Sequence, residues 1–249
     1  MRKATHILSA IACLVALSIP GCGGDDDSAT DTGTEADGGL DAGDTDTGLD
    51  IAVCAPENGP FSLAIDNEFF PMVVGAQRVL DGEEDGAAIH LEITVLDETQ
   101  DVAGVTTRVL EEKESEDGVL LEISRNFFVQ APDGTVCYYG EDVDIYDADG
   151  GVVDHAGAWR AGVDGALPGI QVPAAPEVGM EYDQEYAPDV AQDHGEITAM
   201  GEHLSVPAGE FDDTLEVTET SPFETGSSIK IYVKGIGMVV DGTVVLQSY

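Results

Sequence analysis

Lysine and arginine are scarce in this chain: nine of them stand against fifty Asp and Glu in 249 residues, for a formal charge of −41. A protein that grips nucleic acid by neutralising phosphates needs a basic face, so nucleic acid is excluded as a partner. Charge-driven attraction to anionic lipid is excluded on the same ground. No apolar run of about twenty residues follows the N-terminus, so no membrane-spanning helix is expected. The sequence also lacks a G-x-S-x-G elbow, an H-E-x-x-H pair, a P-loop and a Rossmann glycine set. Wholesale disorder does not fit, because 43% of the residues are hydrophobic and only 24% charged.

What is present begins with an address. Arg2 and Lys3 precede an apolar run from Ile7 to Ile19, followed by Pro20, Gly21 and Cys22. A basic start, an apolar stretch too short to span and a small residue before the cut predict a secretory signal over residues 1–21. Ile19-Pro20-Gly21-Cys22 resembles a bacterial lipobox. That resemblance implies that Cys22 becomes the diacylated, palmitate-bearing first residue of the mature chain and its membrane anchor. Gly23 in place of Asp implies, by the same analogy, an outer-membrane address in a Gram-negative cell. Residues 23–50 hold ten acids and no Lys or Arg, which predicts a self-repelling, extended tether over 22–50. Asp44-Thr45-Asp46-Thr47-Gly48 echoes half of a calcium loop, but the closing bidentate Glu is missing, so a solvated tether is expected there.

Residues 51–249 carry 40 acids and 7 bases and have the length of one domain. Cys54 and Cys137 are the thiols left after the signal and the anchor, and an even pair in an exported chain predicts a disulfide. The dominant period is two, as in Leu91-Glu92-Ile93-Thr94-Val95, Val119–Ile123, Leu215–Thr218 and Ile229–Val233. Asp81-Gly82, Asp117-Gly118, Asp133-Gly134, Asp149-Gly150-Gly151 and Asp241-Gly242 supply turn chemistry between such runs. The expected fold is all-β, an antiparallel meander of about ten to twelve strands curled into a half-barrel or open barrel to hide its edges. Residues 161–179, with Pro168, Pro173, Pro176 and four glycines, read as an irregular lid, binding loop or surface crossing.

Val206-Pro207-Ala208-Gly209-Glu210-Phe211-Asp212, then Tyr232 and Gly235-Ile236-Gly237-Met238-Val239, resemble a pattern found in bacterial envelope proteins built of curled antiparallel sheets. Lipoprotein-carrier half-barrels have a similar architecture. Tyr138-Tyr139-Gly140-Glu141-Asp142 together with Trp159–Ala166 is similar to an uncharacterised family of secreted bacterial proteins. These resemblances imply fold and envelope location; neither supplies a catalytic residue.

Three groups of residues carry candidate chemistry. Glu181, Asp183 and Glu185 share a face if the strand is regular, and with Asp189, Asp193 and His194 they form a candidate calcium site, since converging carboxylates need a hard cation. The alternative is a solvated acidic face. Arg125 shares the strand face of Leu121, Ile123 and Phe127, so alternation points it inward, where it could hold the anionic head of an apolar ligand. A bulge could instead turn it outward, and an ordinary ion pair is equally open. Tyr139, Glu141 and Trp159 complete the candidate ligand site; with Asp142, Asp183 and Glu185 they would also suit glycan chemistry. Two functions stay open: a tethered module binding a lipid-like ligand or a divalent cation, which is preferred, and an enzyme acting on a glycan. The anchor has a direct check. Cys22→Ser should leave the protein unlipidated and absent from the membrane fraction; unchanged fractionation would sink the assignment.

Overall fold

A computed structural model of the chain describes residues 48–249; the expected signal over 1–21, Cys22 and the expected tether before Gly48 lie outside the described residues. Period-two runs and tight turns generate a long antiparallel meander. The first five strands are β1 (Gln77–Glu84), β2 (Ala87–Val102), β3 (Val105–Glu116), β4 (Val119–Gln130) and β5 (Val136–Tyr146). Asp85-Gly86, Ala103-Gly104 and Asp117-Gly118 join the first four with positive φ at both turn residues, the geometry that matches strand twist. Asp81-Gly82, expected as a turn, lies inside β1 instead. There Gly82 lets the last strand approach, since a Cβ would stand 2.3 Å from the Thr243 carbonyl oxygen.

Short strands follow: β6 (Val152–Asp154), β7 (Trp159–Arg160), β8 (Gly169–Val172), β9 (Glu181–Asp183) and β10 (His194–Met200). The hairpin β11 (Leu204–Val206) and β12 (Gly209–Phe211) stands apart as a two-stranded sheet. The chain ends in β13 (Thr214–Thr220), β14 (Ser228–Val233), β15 (Gly237–Asp241) and β16 (Val244–Ser248). Fourteen of these strands form one sheet, whose main path runs β6-β5-β4-β3-β2-β1-β16-β15-β14-β13-β10-β9. It is all-β, antiparallel and not closed, as the alternation and turn residues led one to expect.

Residues 161–179 depart from the expected irregular loop. Between Pro168 and Pro173 lies a wholly buried strand, β8, paired with β5. The flanking prolines punctuate it, and Gly-Ile-Gln-Val between them is long enough to add to the ladder.

The two ends of the sheet approach each other without completing a ladder. The Leu167 N–H donates to the Tyr186 carbonyl at 2.8 Å, and Gly169 sits so near Gln184 that a Cβ would fall 2.1 Å from its carbonyl oxygen. The Gln171 side-chain amide, on β8, donates to the Tyr232 hydroxyl on β14 at 3.1 Å. This seam lets the edges of a long meander hide from other chains.

One end of the hollow is filled by the chain itself. Ahead of β1, the segment 61–76 buries Ile65, Phe69, Phe70 and Met72. The Phe70 ring packs against Phe128 on β4 at 5.0 Å and against Tyr232 on β14 at 6.2 Å, so it spans the interior. Asn67 fixes its approach: its side-chain oxygen accepts from the Phe69 and Phe70 N–H groups, and its amide donates to the Gly134 and Pro173 carbonyls.

Cys54 and Cys137 form a disulfide, fully buried, that ties the entry turn Ile51–Cys54 to β5. The Tyr139 hydroxyl reinforces it by donating to the Cys54 carbonyl at 2.6 Å. The folded part starts slightly before residue 51, because Gly48 bridges Glu181 and the Leu49 N–H donates to the Glu181 carbonyl at 2.8 Å. With a sequence separation of 83, loop-closure entropy makes the disulfide worth about 4 kcal/mol. Replacing both cysteines by Ala should therefore lower Tm by roughly 8–16 °C for a domain of this size. Native, unreduced protein should show no alkylation at either position; two freely alkylated thiols would refute the pairing.

Candidate functional site

The strand register identifies the inner face. Leu91 and Ile93, buried, stand opposite Glu114 and Glu112; these stand opposite Glu122 and Ser124; and Asn126 stands opposite Glu141. Across the other half of the sheet, Lys230 faces Asp241 and neighbours Val217, with Glu219 further along the same face. Directly opposed residues share a face. The inner surface is therefore apolar along β2 and acidic along β3, β4 and β5.

Two clusters result. Around β13–β15, Lys230 Nζ lies 2.9 Å from Glu219, and the Gln184 amide donates to Glu219 at 2.8 Å. Burial acts to lower the Lys230 pKa, but Glu219 and Asp241 hold it well above its ordinary value. Burial also raises Asp241 to about 8, against the pull of Lys230. Nearby, Arg78 donates to the Ile236 carbonyl at 3.0 Å.

The second cluster sits at the seam. Glu141, on β5, is 1% exposed and Glu185, just after β9, is 3% exposed. Each is pushed well above the usual carboxyl range, first by burial and then by neighbouring carboxyls: Glu185 foremost for Glu141, and Asp193 for Glu185. Trp159 on β7 closes one side. Its ring meets Tyr138 edge-to-face at 5.3 Å, and Tyr138 stacks on Phe128 at 4.8 Å. The indole N–H lies near enough to Glu185 to favour its carboxylate without completing a hydrogen bond. The Tyr138 hydroxyl donates to Asn126 at 2.6 Å. Both Glu141 oxygens, Glu185 Oε1, Gln184 Oε1, Trp159 Nε1 and the Tyr182 hydroxyl are buried with no hydrogen-bond partner.

Other candidate residues fall elsewhere. Arg125 points outward, half-exposed, with Nη2 2.9 Å from Glu111. The inward expectation fails because alternation along β4 was read from its apolar residues, whereas Glu122, Ser124 and Asn126 are the buried set before the bulge ahead of Phe128. Tyr139 serves the entry turn, on a different side from Tyr138. Asp142 faces out and binds Arg160 at 2.6 Å.

The six candidate calcium ligands do not converge. Glu181 and Asp183 flank His194 on the outer face, at 3.6 and 3.1 Å. Glu185 turns inward because β9 ends at Asp183. Asp189 occupies an exposed turn with φ 62°, and Asp193 lies partly buried beside Glu219. Among the described residues no group of three or more His, Cys, Asp or Glu is placed to hold a metal ion.

Glu112, Glu114, Glu122, Glu219, Lys230 and Asp241 escaped the sequence reading. Each lies in a strand whose apolar alternation places it outside, or at the end of the apolar face. For Glu112 and Glu114 the signal that could have found them is the acid-rich stretch Glu111-Glu112-Lys113-Glu114-Ser115-Glu116 inside a strand pattern.

No family model matches the chain, and neither curated proteins nor solved structures give a match.

Enclosed carboxyls make stability depend on pH. Burial and then Glu114 raise Glu122 to about 8; burial and then Glu84 raise Glu114 to about 7. Their folded pKa values exceed the unfolded ones, so the native state binds more protons between about 5 and 8, and stability falls as pH rises through that window. Each such group removes up to ~1.4 kcal/mol per pH unit. Tm should fall from pH 5 to pH 8, and Glu122→Gln should flatten the slope. A Tm that rises over this range would contradict the enclosure.

Proposed function

We propose that this chain is a bacterial envelope lipoprotein, anchored through lipidated Cys22 and held off the membrane by its acidic tether, whose β domain is a ligand-binding module. The ligand is polar and is held at the seam of the open barrel. One observation carries the reading: Glu141, Glu185, Gln184, Trp159 and Tyr182, all buried, present polar atoms without partners. Leaving such groups unpaired costs about 1–3 kcal/mol each, more for charged groups, and a ligand that supplies the missing partners recovers it. A lipid-like ligand finds less support, since Phe69, Phe70 and Met72 occupy the apolar interior and the rest is lined by carboxyls. Calcium also finds less support, because the acidic groups it would need are spread over both faces of the sheet.

A second reading has one observation in its favour. Glu141 and Glu185 act on each other and adjoin Trp159, the arrangement of two carboxyls and an aromatic platform that glycoside hydrolysis uses. Their near-complete burial favours holding a ligand over admitting a polymer.

Native mass spectrometry of the full-length protein, extracted in mild detergent without refolding, separates the readings. A small polar ligand should appear with wild type and disappear with Glu141→Gln/Glu185→Gln. Unliganded protein only, or an adduct that survives both substitutions, would remove the seam as the binding site; a shortened oligosaccharide, produced by wild type alone, would favour the enzyme.

A further inference from the structure

The unpartnered atoms at the seam are unequal in kind. Acceptors dominate: both oxygens of Glu141, Oε1 of Glu185 and Oε1 of Gln184 lack donors, against the Trp159 indole N–H and the Tyr182 hydroxyl. The foremost charges acting on Glu141 are all acidic: Glu185 on the far side of the seam, Glu122 on β4, Glu112 on β3 and Asp193 before β10. Glu185 is reached by one cation, Lys230 on β14, which is already paired with Glu219 on β13 and opposed by Asp241 on β15. The seam is thus richer in unpartnered acceptors than in donors, beside the Tyr138–Trp159 ring pair.

We propose that the seam between Glu141 and Glu185 binds a small organic ammonium ion, with the N–H groups donating to Glu141, Glu185 and Gln184. The assignment rests on the binding-module reading and names its ligand chemistry. A primary ammonium brings three donors and one charge, which matches the deficit. A metal ion would need six to eight oxygens for calcium, or a compact set of ligands, and no such set exists among the described residues. A neutral polyol supplies donors but no counter-charge for a carboxyl that ionises, and an anion is repelled.

Proton balance follows from the same enclosure. Without a cation the pair retains protons, because two carboxylates side by side in a buried site repel. An entering ammonium ion replaces one of those protons, which leaves to solvent while the other stays on the pair. Binding should therefore tighten as pH rises, by up to about tenfold per unit while one proton is released.

The test uses the full chain and two probes, methylammonium and 1,4-diaminobutane, with sodium and tetramethylammonium at equal ionic strength as comparisons. The primary ammonium ions should raise Tm beyond sodium, more at pH 8 than at pH 6, and calorimetry in buffers of different ionisation heat should register proton release. Tetramethylammonium, with no N–H to donate, should match sodium. Glu141→Gln and Glu185→Gln keep side-chain shape and relieve repulsion, so both variants should fold, melt higher at pH 8 and lose the ammonium effect. Equal Tm shifts for sodium, tetramethylammonium and methylammonium from pH 5 to pH 9, or an ammonium effect untouched by Glu141→Gln, would overturn the assignment. A seam-dependent ligand without an amine in the native mass spectrum would also overturn it, yet leave the binding module standing. No seam-dependent ligand and no ammonium effect would remove both.

Discussion

A meander this long cannot lie flat in water with both edges bare, and the need to bring those edges together organises the rest of the molecule. The edges meet through β8 on one side and the segment after β9 on the other, joined by the Leu167–Tyr186 and Gln171–Tyr232 hydrogen bonds. Curling the sheet carries one of its faces inside. Whatever that face presents must then be paired, protonated or matched by a ligand, since burying an isolated charge is prohibitive. Lys230, Glu219 and Gln184 take the first route, and Glu122 the second. Glu141 and Glu185 keep buried oxygens without hydrogen-bond partners at the seam.

The entry segment stabilises the same closure from the other side. The Cys54–Cys137 disulfide, the Tyr139–Cys54 hydrogen bond and the insertion of Phe70 between β4 and β14 all fasten residues before β1 onto the curled sheet. An apolar plug inside a barrel leaves the remaining interior polar by subtraction. The Val206-Pro207-Ala208-Gly209 stretch forms the tight turn between β11 and β12.

The acidity of the chain has two different physical expressions. Outside, carboxylates such as Glu181, Asp183, Asp142 and Glu111 meet water and the few basic side chains beside them, His194, Arg160 and Arg125. Inside, carboxyls pass into a medium that opposes their ionisation, and their pKa values rise. The same residue type is thus a solubilising group on one face and a proton store on the other, and a shift of one residue in strand register would exchange the two roles.

Period-two patterning and turn residues were enough to determine the all-β class, most strand boundaries and the antiparallel meander, because hairpins are local and their turn chemistry is written in adjacent residues. The disulfide was legible as well, since elimination left a single pair of thiols. The face assignment was legible only where apolar residues and the interior coincide, as at Leu91, Ile93 and Val95. It failed at Arg125 and at Lys230, where β4 and β14 turn polar residues inward and leave Ile229 exposed. Glu141 and Glu185 were each singled out in the sequence, but in separate groups, one with Trp159 and one with a calcium set. Only the closure of the sheet puts them together: they lie 44 positions apart at opposite ends of the strand order, and no local pattern encodes which edges of a curled sheet will meet.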